Sequence, residues 1–426
     1  MADDAPEREV PTRRDYVKYG GAVIGGGLLA GCTGESSPSG SGDTAGSNGS
    51  DDSTRTRSGY TAAIEPVGEV EFDSVPEEWI THEFSLDMAV VCGTTDGIVE
   101  TAWRPGEYVL SFYRMLPDVD VPSVAEMNGI LGNGESMNKE YIYEVDPDMI
   151  GVDPNWLLQY SSGKGKDIDE IIDNVAPFCG SYNQRKRDDS WPTWPDGKYR
   201  YYDLAAVTKY WGQVFDQPER GKAIAELSRS MTERVRSRVP ETDETMGLLW
   251  AGPPDSGEIY IYKPTQETEK VYGRKHFSDL QVNDALAGQY DGKTSIYVDA
   301  EVILEADPDR IVLHHGLMKN QLPASDAYNG NDTDGKTIAE YTLDLYRNDP
   351  VLSELTAVEN DELYIGTMET TGPIQGLFNT EVLAKQLYPG TFGEFPGFDD
   401  DNTYDVPEGE RLFDRQRVAD ICNGNL

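Results

Sequence analysis

His314 and His315 are adjacent, and two imidazoles are the side chains of this sequence best suited to meet a metal centre. In an extended strand neighbouring side chains point to opposite faces. The pair is therefore expected to split at a strand end, with one ring at most available as an axial ligand to haem or cobalt. The other two histidines, His82 and His276, are isolated, and the four contain no HExxH. No GxSxG, GxGxxG or CxxC spacing occurs either. The reading assigns no catalytic residue, no cofactor and no metal site. It predicts a protein that is not an enzyme, and leaves open only paired carboxylates acting as acid and base.

A different chemistry is written at the start of the chain. Thr12-Arg13-Arg14-Asp15-Tyr16-Val17-Lys18 precedes an apolar, Gly-rich run from Tyr19 to Ala30, which closes on Leu29-Ala30-Gly31-Cys32. Paired arginines, a short apolar run and a lipobox in register predict a twin-arginine export signal over residues 1–32, with a lipid on Cys32. The run is too short for a span of ~20 residues. Residues 33–59 are mostly Ser, Gly, Thr, Asp and Asn, a composition that cannot offset its ordering entropy. They read as a tether with a reach of ~30 Å. The folded part is expected from about Tyr60, outside the cell and anchored to the outer face of the cytoplasmic membrane.

The chain carries 77 acidic against 36 basic residues, a net charge of −41. Phosphate backbones would be repelled, which excludes nucleic acid as a partner. Docking onto anionic lipid by charge alone is excluded for the same reason. The excess runs through the whole folded region, as suits a surface screened by high salt in a halophilic organism. With Cys32 lipidated, Cys92, Cys179 and Cys422 permit one bridge and one free thiol. Arg185-Lys186-Arg187 reads as a solvated basic loop.

The elements that must position these residues come from an internal match. EYIYEVDPDMIG at 140–151 is repeated as EVILEADPDRIV at 301–312. Ile142 and Val145, like Ile303 and Ala306, suit a short helix that Asp-Pro stops. The apolar runs Met149-Ile150-Gly151-Val152 and Ile311-Val312-Leu313 suit buried strands. Two such helix–strand units predict two similar α/β lobes. Between them Asp216-Gln217-Pro218-Glu219 resembles a capping box. Ile224, Leu227, Met231 and Val235 share one face, and Pro240 ends the pattern. A helix over 218–239 of ~33 Å would run along both lobes as a stiff strut. The predicted plan is a first lobe over 60–208, a connecting helix region over 209–241, a second lobe over 242–396 and a tail over 397–426. Leu412, Phe413, Val418 and Ile421 of the tail are expected to fold back on the first lobe, near another cysteine.

These pieces resemble a known family, the substrate-binding lipoproteins of ABC importers for iron–siderophore, haem and vitamin B12. Asn138-Lys139-Glu140 through Asp146-Pro147-Asp148-Met149-Ile150 is similar to one family element. Ala300-Glu301 through Asp307-Pro308-Asp309-Arg310-Ile311 is similar to its partner. Asp349-Pro350-Val351 with Leu355 to Asn360, and Gly372-Pro373-Ile374 through Leu387-Tyr388-Pro389, resemble later ones. The resemblance covers about 79–394 and departs from the family at 80–87 and 181–202. It implies two Rossmann-like α/β lobes joined by one long rigid helix, with a ligand cleft between them. The implied activity is capture of an iron-siderophore or corrinoid and its delivery to an ABC permease by a monomer. The alternatives are a receptor for haem or another anionic cargo, then a secreted enzyme or a surface sensor.

The resemblance also implies site residues. Glu140 and Glu301 fall where the family pairs a glutamate of each lobe with permease arginines. Cleft residues should lie on loops past strands. The candidates are Phe112, Tyr113, Arg114, Trp156, Trp191 and Trp194 in the first lobe. In the second they are Lys263, Tyr272, Arg274, His276, Met368 and Gln375, with His314 and His315 weighted toward structural roles. Aromatics would lie flat on a siderophore or tetrapyrrole, and Arg or Lys would meet its negative charge.

Overall fold

The computed structural model describes residues 59–103, 107–123, 127–131, 137–187, 190–195, 199–252, 257–265, 270–318 and 336–426. The signal, Cys32 and nearly all of the tether lie outside the described residues. Among those described, no helix is long and apolar enough to cross a membrane.

A hairpin of β1 (Tyr60–Ile64) and β2 (Gly68–Phe72) opens the fold. The first lobe is built on β3 (Trp79–Thr81), β4 (Ile98–Thr101) and β5 (Met149–Ile150), parallel in the order β4-β3-β5. Around it stand α1 (Glu83–Cys92), α2 (Glu107–Arg114), α3 (Lys139–Val145), α4 (Pro154–Gln159), α5 (Gly165–Asn174) and α6 (Leu204–Val214). The connecting helix is α7 (Pro218–Arg236). The second lobe has β6 (Thr245–Trp250), β7 (Glu258–Tyr262), β8 (Asn283–Asp284), β9 (Ser295–Asp299), β10 (Arg310–His314) and β11 (Leu363–Ile365). Their order is β11-β10-β6-β7-β9, with β8 beside β6. Its helices are α8 (Lys275–Asp279), α9 (Ala300–Ala306), α10 (Ile338–Arg347), α11 (Thr356–Glu359), α12 (Pro373–Leu387) and α13 (Pro389–Phe392). The central parallel pair β6–β10 reads Met-Gly-Leu-Leu against Ile-Val-Leu, apolar on both faces as a doubly covered sheet requires.

The internal match folds the same way twice. Helices α3 and α9 end on Asp146 and Asp307, each in the left-handed region at φ 48° and 37°, and a proline follows. The second aspartate of each Asp-Pro-Asp then clasps the start of the neighbouring strand. Asp148 Oδ2 accepts the amides of Glu77 and Glu78 at 3.0 and 3.1 Å ahead of β3. Asp309 Oδ2 accepts that of Thr245 at 2.7 Å at the start of β6. Strand β5 stops at Ile150 rather than Val152 because Gly151 is pressed against α1. A Cβ there would lie 2.8 Å from Ser85 Oγ.

The strut forms, with two differences. It ends at Arg236, which makes it about 28 Å long. The capping box does not form: Asp216 turns left-handed at φ 51°, and Gln217 is the cap without a side-chain bond. Gln217 instead donates its amide to Gly212 O at 2.7 Å, which closes a tight α6–α7 turn. Helix α7 packs on α1 and α6 of the first lobe and on α8 and α12 of the second. The tail folds back on the first lobe only in part: α14 (Arg415–Cys422) lies on α1 and α7, whereas Phe413 packs on Phe378 of α12 in the second lobe. Arg415 reaches Glu381 at 3.0 Å, and Phe413, Val418 and Ile421 are buried. Cys92, Cys179 and Cys422 are buried free thiols.

Candidate functional site

Residues at or just past the carboxyl ends of strands from both sheets converge between the lobes. From the first lobe come His82 and Glu83, where β3 turns into α1, and the segment Tyr182–Arg185. From the second come Trp250 at the end of β6, the His314–His315 corner at the end of β10, and Glu369 after β11. Backbone ties the two sides together. Tyr272 and Gly273 donate their amides to the carbonyls of Asn183 and Gln184 at 3.2 and 2.9 Å.

Glu369 is the centre of this cleft. Its Oε1 faces Arg185 Nη2 at 3.3 Å and Arg274 Nη2 at 3.4 Å. Its Oε2 faces Nε2 of His314 at 3.4 Å and Nε2 of His315 at 3.5 Å. Burial alone would raise its carboxyl, but Arg185, then His314 and His315, hold it well below the usual carboxylate range. Burial lowers both histidines, which keeps them neutral near pH 7. Glu83, at the rim, is pushed up to about 7 by burial and then by Glu369. Arg274 is fully buried and fixed by Lys263 O and Thr294 O, each 2.8 Å from Nη1, with Tyr262 beneath it.

An aromatic wall rises on the second-lobe side. Trp250 stacks on Tyr262 at 6.2 Å, Tyr262 meets His314 at 4.7 Å, and Trp250 meets His315 at 5.5 Å. On the first-lobe side Trp191 stacks on Tyr182 at 5.8 Å, and Trp156 covers His82 at 4.2 Å. Burial lowers His82 to about 4. A cavity beside these rings is lined by His82, Asp153, Tyr182, Gln184 and Tyr272.

The expectation that His314 and His315 point apart is overturned. His315 leaves the strand in the left-handed region at φ 64°, so alternation ends at His314. The rings stand 4.1 Å apart, facing the same carboxylate. One ligand atom each from His314, His315 and Glu369 falls within 4.8 Å of the others, a grouping that can hold a metal ion although no metal site was assigned from sequence. Arg185 and Arg187 likewise leave the solvated-loop reading. Arg187 is buried against Asp153 at 2.7 Å and covers the Tyr199 ring at 3.3 Å.

The structure sorts the remaining candidates. Arg274, Tyr272, Trp156 and Trp191 belong to the cleft walls or the layer behind them. His276 is behind Arg274, buried, lowered to about 3 by burial, and 3.3 Å from Thr370 Oγ1. Lys263 contributes its carbonyl to Arg274. Met368 is buried and its carbonyl accepts from Asn379. Tyr113 and Gln375 are not cleft residues. They are buried where the lobes fuse, because Tyr113 donates to Asp87 and Gln375 to Val109 O, at 3.0 and 2.8 Å. Phe112 is stacked on Phe378 in the same packing. Arg114 is exposed at the end of α2. Trp194 lies on the flank of the first lobe, where its Nε1 donates to Asp169 of α5 at 2.9 Å. Glu140 and Glu301 are both exposed in the first turns of α3 and α9. Sequence reasoning missed Glu83, Arg185 and Glu369. Only the rarity of arginine in so acidic a chain pointed toward Arg185.

No curated protein matches the sequence. Among solved structures, a periplasmic binding protein of Veillonella parvula is similar with a TM-score of 0.51 at 13% identity, over 78% of this chain and 97% of that one. An ABC-type Fe3+-hydroxamate transport system protein of Saccharomonospora viridis is similar at 19% identity with a TM-score of 0.48, over 75% and 96%. A periplasmic heme-binding protein of Roseiflexus is similar at 12% identity with a TM-score of 0.48, over 74% and 99%. The sequence profile of one family, described as periplasmic binding protein, matches residues 130–370, more than half of the chain. The chain belongs to the periplasmic binding protein family.

Proposed function

We propose that this chain is the extracytoplasmic binding component of an ABC importer and that it captures an iron-siderophore or a corrinoid between its lobes. The observation that carries the reading is the buried cluster of Glu369, Arg185, Arg274, His314 and His315 under the Trp250–Tyr262 wall. A flat, partly anionic chelate needs aromatic area and fixed donors on opposite sides, and the cleft offers both. Closure is modest in this reading, because α7 and α12 brace the two lobes. Glu140 and Glu301 dock the loaded protein on its permease, and a lipid on Cys32 keeps it at the membrane. It acts as a monomer and performs no covalent chemistry.

The test is thermal unfolding of the full chain in high salt against ferric siderophores, corrinoids, haem and simple oxyanions. A ligand bound by the native state alone raises the midpoint. A rise with a ferric siderophore or a corrinoid supports the reading. A rise with haem or an oxyanion alone replaces the cargo, and no rise with any member of the set sinks the proposal.

A further inference from the structure

The two oxygens of Glu369 have different partners, and the difference is informative. The arginines take Oε1, which leaves Oε2 facing two imidazole nitrogens at 3.4 and 3.5 Å. Ligand atoms bound about 2.1 Å from a tetrahedral metal ion stand about 3.4 Å apart. The same contacts are long for N–H···O bonds. His314 is 0% exposed, and neither of its ring nitrogens has a hydrogen-bond partner among the described residues. A buried polar side chain left unpaired is costly and rare in native interiors. The left-handed turn at His315 is what brings its ring round to the same point.

We propose that His314, His315 and Glu369 form a three-ligand site for a first-row divalent transition-metal ion, with the remaining coordination position open to the cleft. Two imidazole nitrogens and one carboxylate oxygen suit zinc, iron or cobalt, whereas calcium and magnesium prefer all-oxygen sets. Arg274 is a positioning residue: by holding Oε1 it turns Oε2 toward the histidines. The side chain of Arg185 is 28% exposed and can meet an anion that completes the metal's shell. This inference rests on the reading of the cleft as the cargo site. The ion is then the cargo itself or the metal centre of a complex with an open position.

The experiment titrates the full chain, stripped with a chelator, with Co2+ alone in molar KCl, where exposed carboxylates are screened. One Co2+ per chain is expected, with the strong visible bands of a four-coordinate site. His315→Asn and Glu369→Gln should each weaken binding at least tenfold. Asparagine tolerates the left-handed backbone at 315, and near-UV circular dichroism confirms that each variant is folded. Equal Co2+ affinity in folded variants, or no stoichiometric binding to the native chain, overturns the site. A ferric trihydroxamate with all six iron positions filled is run in parallel. If it binds while Co2+ does not, the metal site fails and the receptor reading stands. If Co2+ binds, is lost in the variants and the chelate does not bind, the site is supported with the bare ion as its ligand. If neither binds, the metal site fails, and the receptor reading is decided by the wider ligand set.

Discussion

Asp87 of the first lobe holds the first turn of α12 in the second: its Oδ2 accepts the amide of Ile374 at 2.9 Å, and its Oδ1 that of Gln375 at 3.2 Å. Tyr113 donates to the same carboxyl at 3.0 Å. The carboxyl thus caps a helix across the junction. Asp87→Ala strands two buried amides and should cost about 2 kcal/mol, read as a lower denaturant midpoint. An unchanged midpoint would show that the cap carries no stability.

The pH dependence of this contact has a definite sign. Burial pushes the Asp87 carboxyl up from 3.8 to about 7, against the pull of the Ile374 amide, Tyr113 and the Gln375 amide. A raised folded pKa means that the native state holds its proton longer than the unfolded chain. The stabilisation is complete below the unfolded value and is lost as pH rises through about 7. Asp87→Asn removes that titration. Its stability relative to the native sequence should therefore climb between about pH 4 and about pH 7 and level off above that. The buried His82 and His276 titrate in the opposite sense and cancel in the difference. A flat difference across that range would contradict the assignment.

Arg187 and Asp153 form a buried pair at 2.7 Å, and Asp153 Oδ2 also accepts from the Tyr182 amide and the Tyr199 hydroxyl at 2.6 and 2.5 Å. Arg187→Ala leaves that charge without its cation and should cost about 3 kcal/mol. Arg187→Lys should rescue little, because an ammonium cannot reproduce the guanidinium face laid on Tyr199. Urea unfolding followed by tryptophan fluorescence reads both variants, since Trp191 lies 4.9 Å from the guanidinium. Full rescue by lysine would reduce the contact to charge alone.

Gly273 has no room for a side chain, because a Cβ there would collide with the Gln184 carbonyl of the other lobe. Gly273→Ala should break the 2.9 Å amide bond to that carbonyl and part the lobes. Small-angle scattering should show a larger radius of gyration with an unchanged far-ultraviolet spectrum. Identical scattering curves would mean that the tie is dispensable.

Glu140→Arg and Glu301→Arg separate docking from binding. Both sites are exposed. Each variant should keep the ligand-induced rise in unfolding midpoint and lose most of the uptake by cells. Uptake at the native rate in the double variant would remove the docking assignment.

What was legible in the chain was what is decided locally. Both Asp-Pro-Asp elements and the start of the strut at Pro218 follow from residues that touch their own sequence neighbours. The cleft was less legible because its contacts are distant. Arg185 meets a carboxylate at position 369, and Tyr113 reads as a binding aromatic until Asp87 is known to lie against it. The histidine corner failed for another reason: strand alternation holds only while the strand continues, and one left-handed residue swings the second ring back beside the first. Leu412 to Cys422 did announce a return to the first lobe through its apolar spacing, though not the Arg415–Glu381 pair beneath it.

On the docking proposal, the duplicated aspartate clasp bears on recognition as well as on folding. Glu140 precedes Asp148, and Glu301 precedes Asp309, by the same interval, each at the start of a helix whose far end is fixed by the same left-handed aspartate. Each half of the molecule therefore shows the outside a matching pair of carboxylates, Glu140 with Glu144 and Glu301 with Glu305, on one kind of platform. A partner assembled from two copies of a single subunit needs only one basic motif, used twice, to grip both halves. The same economy constrains change, since a substitution in such a partner is felt at both platforms at once.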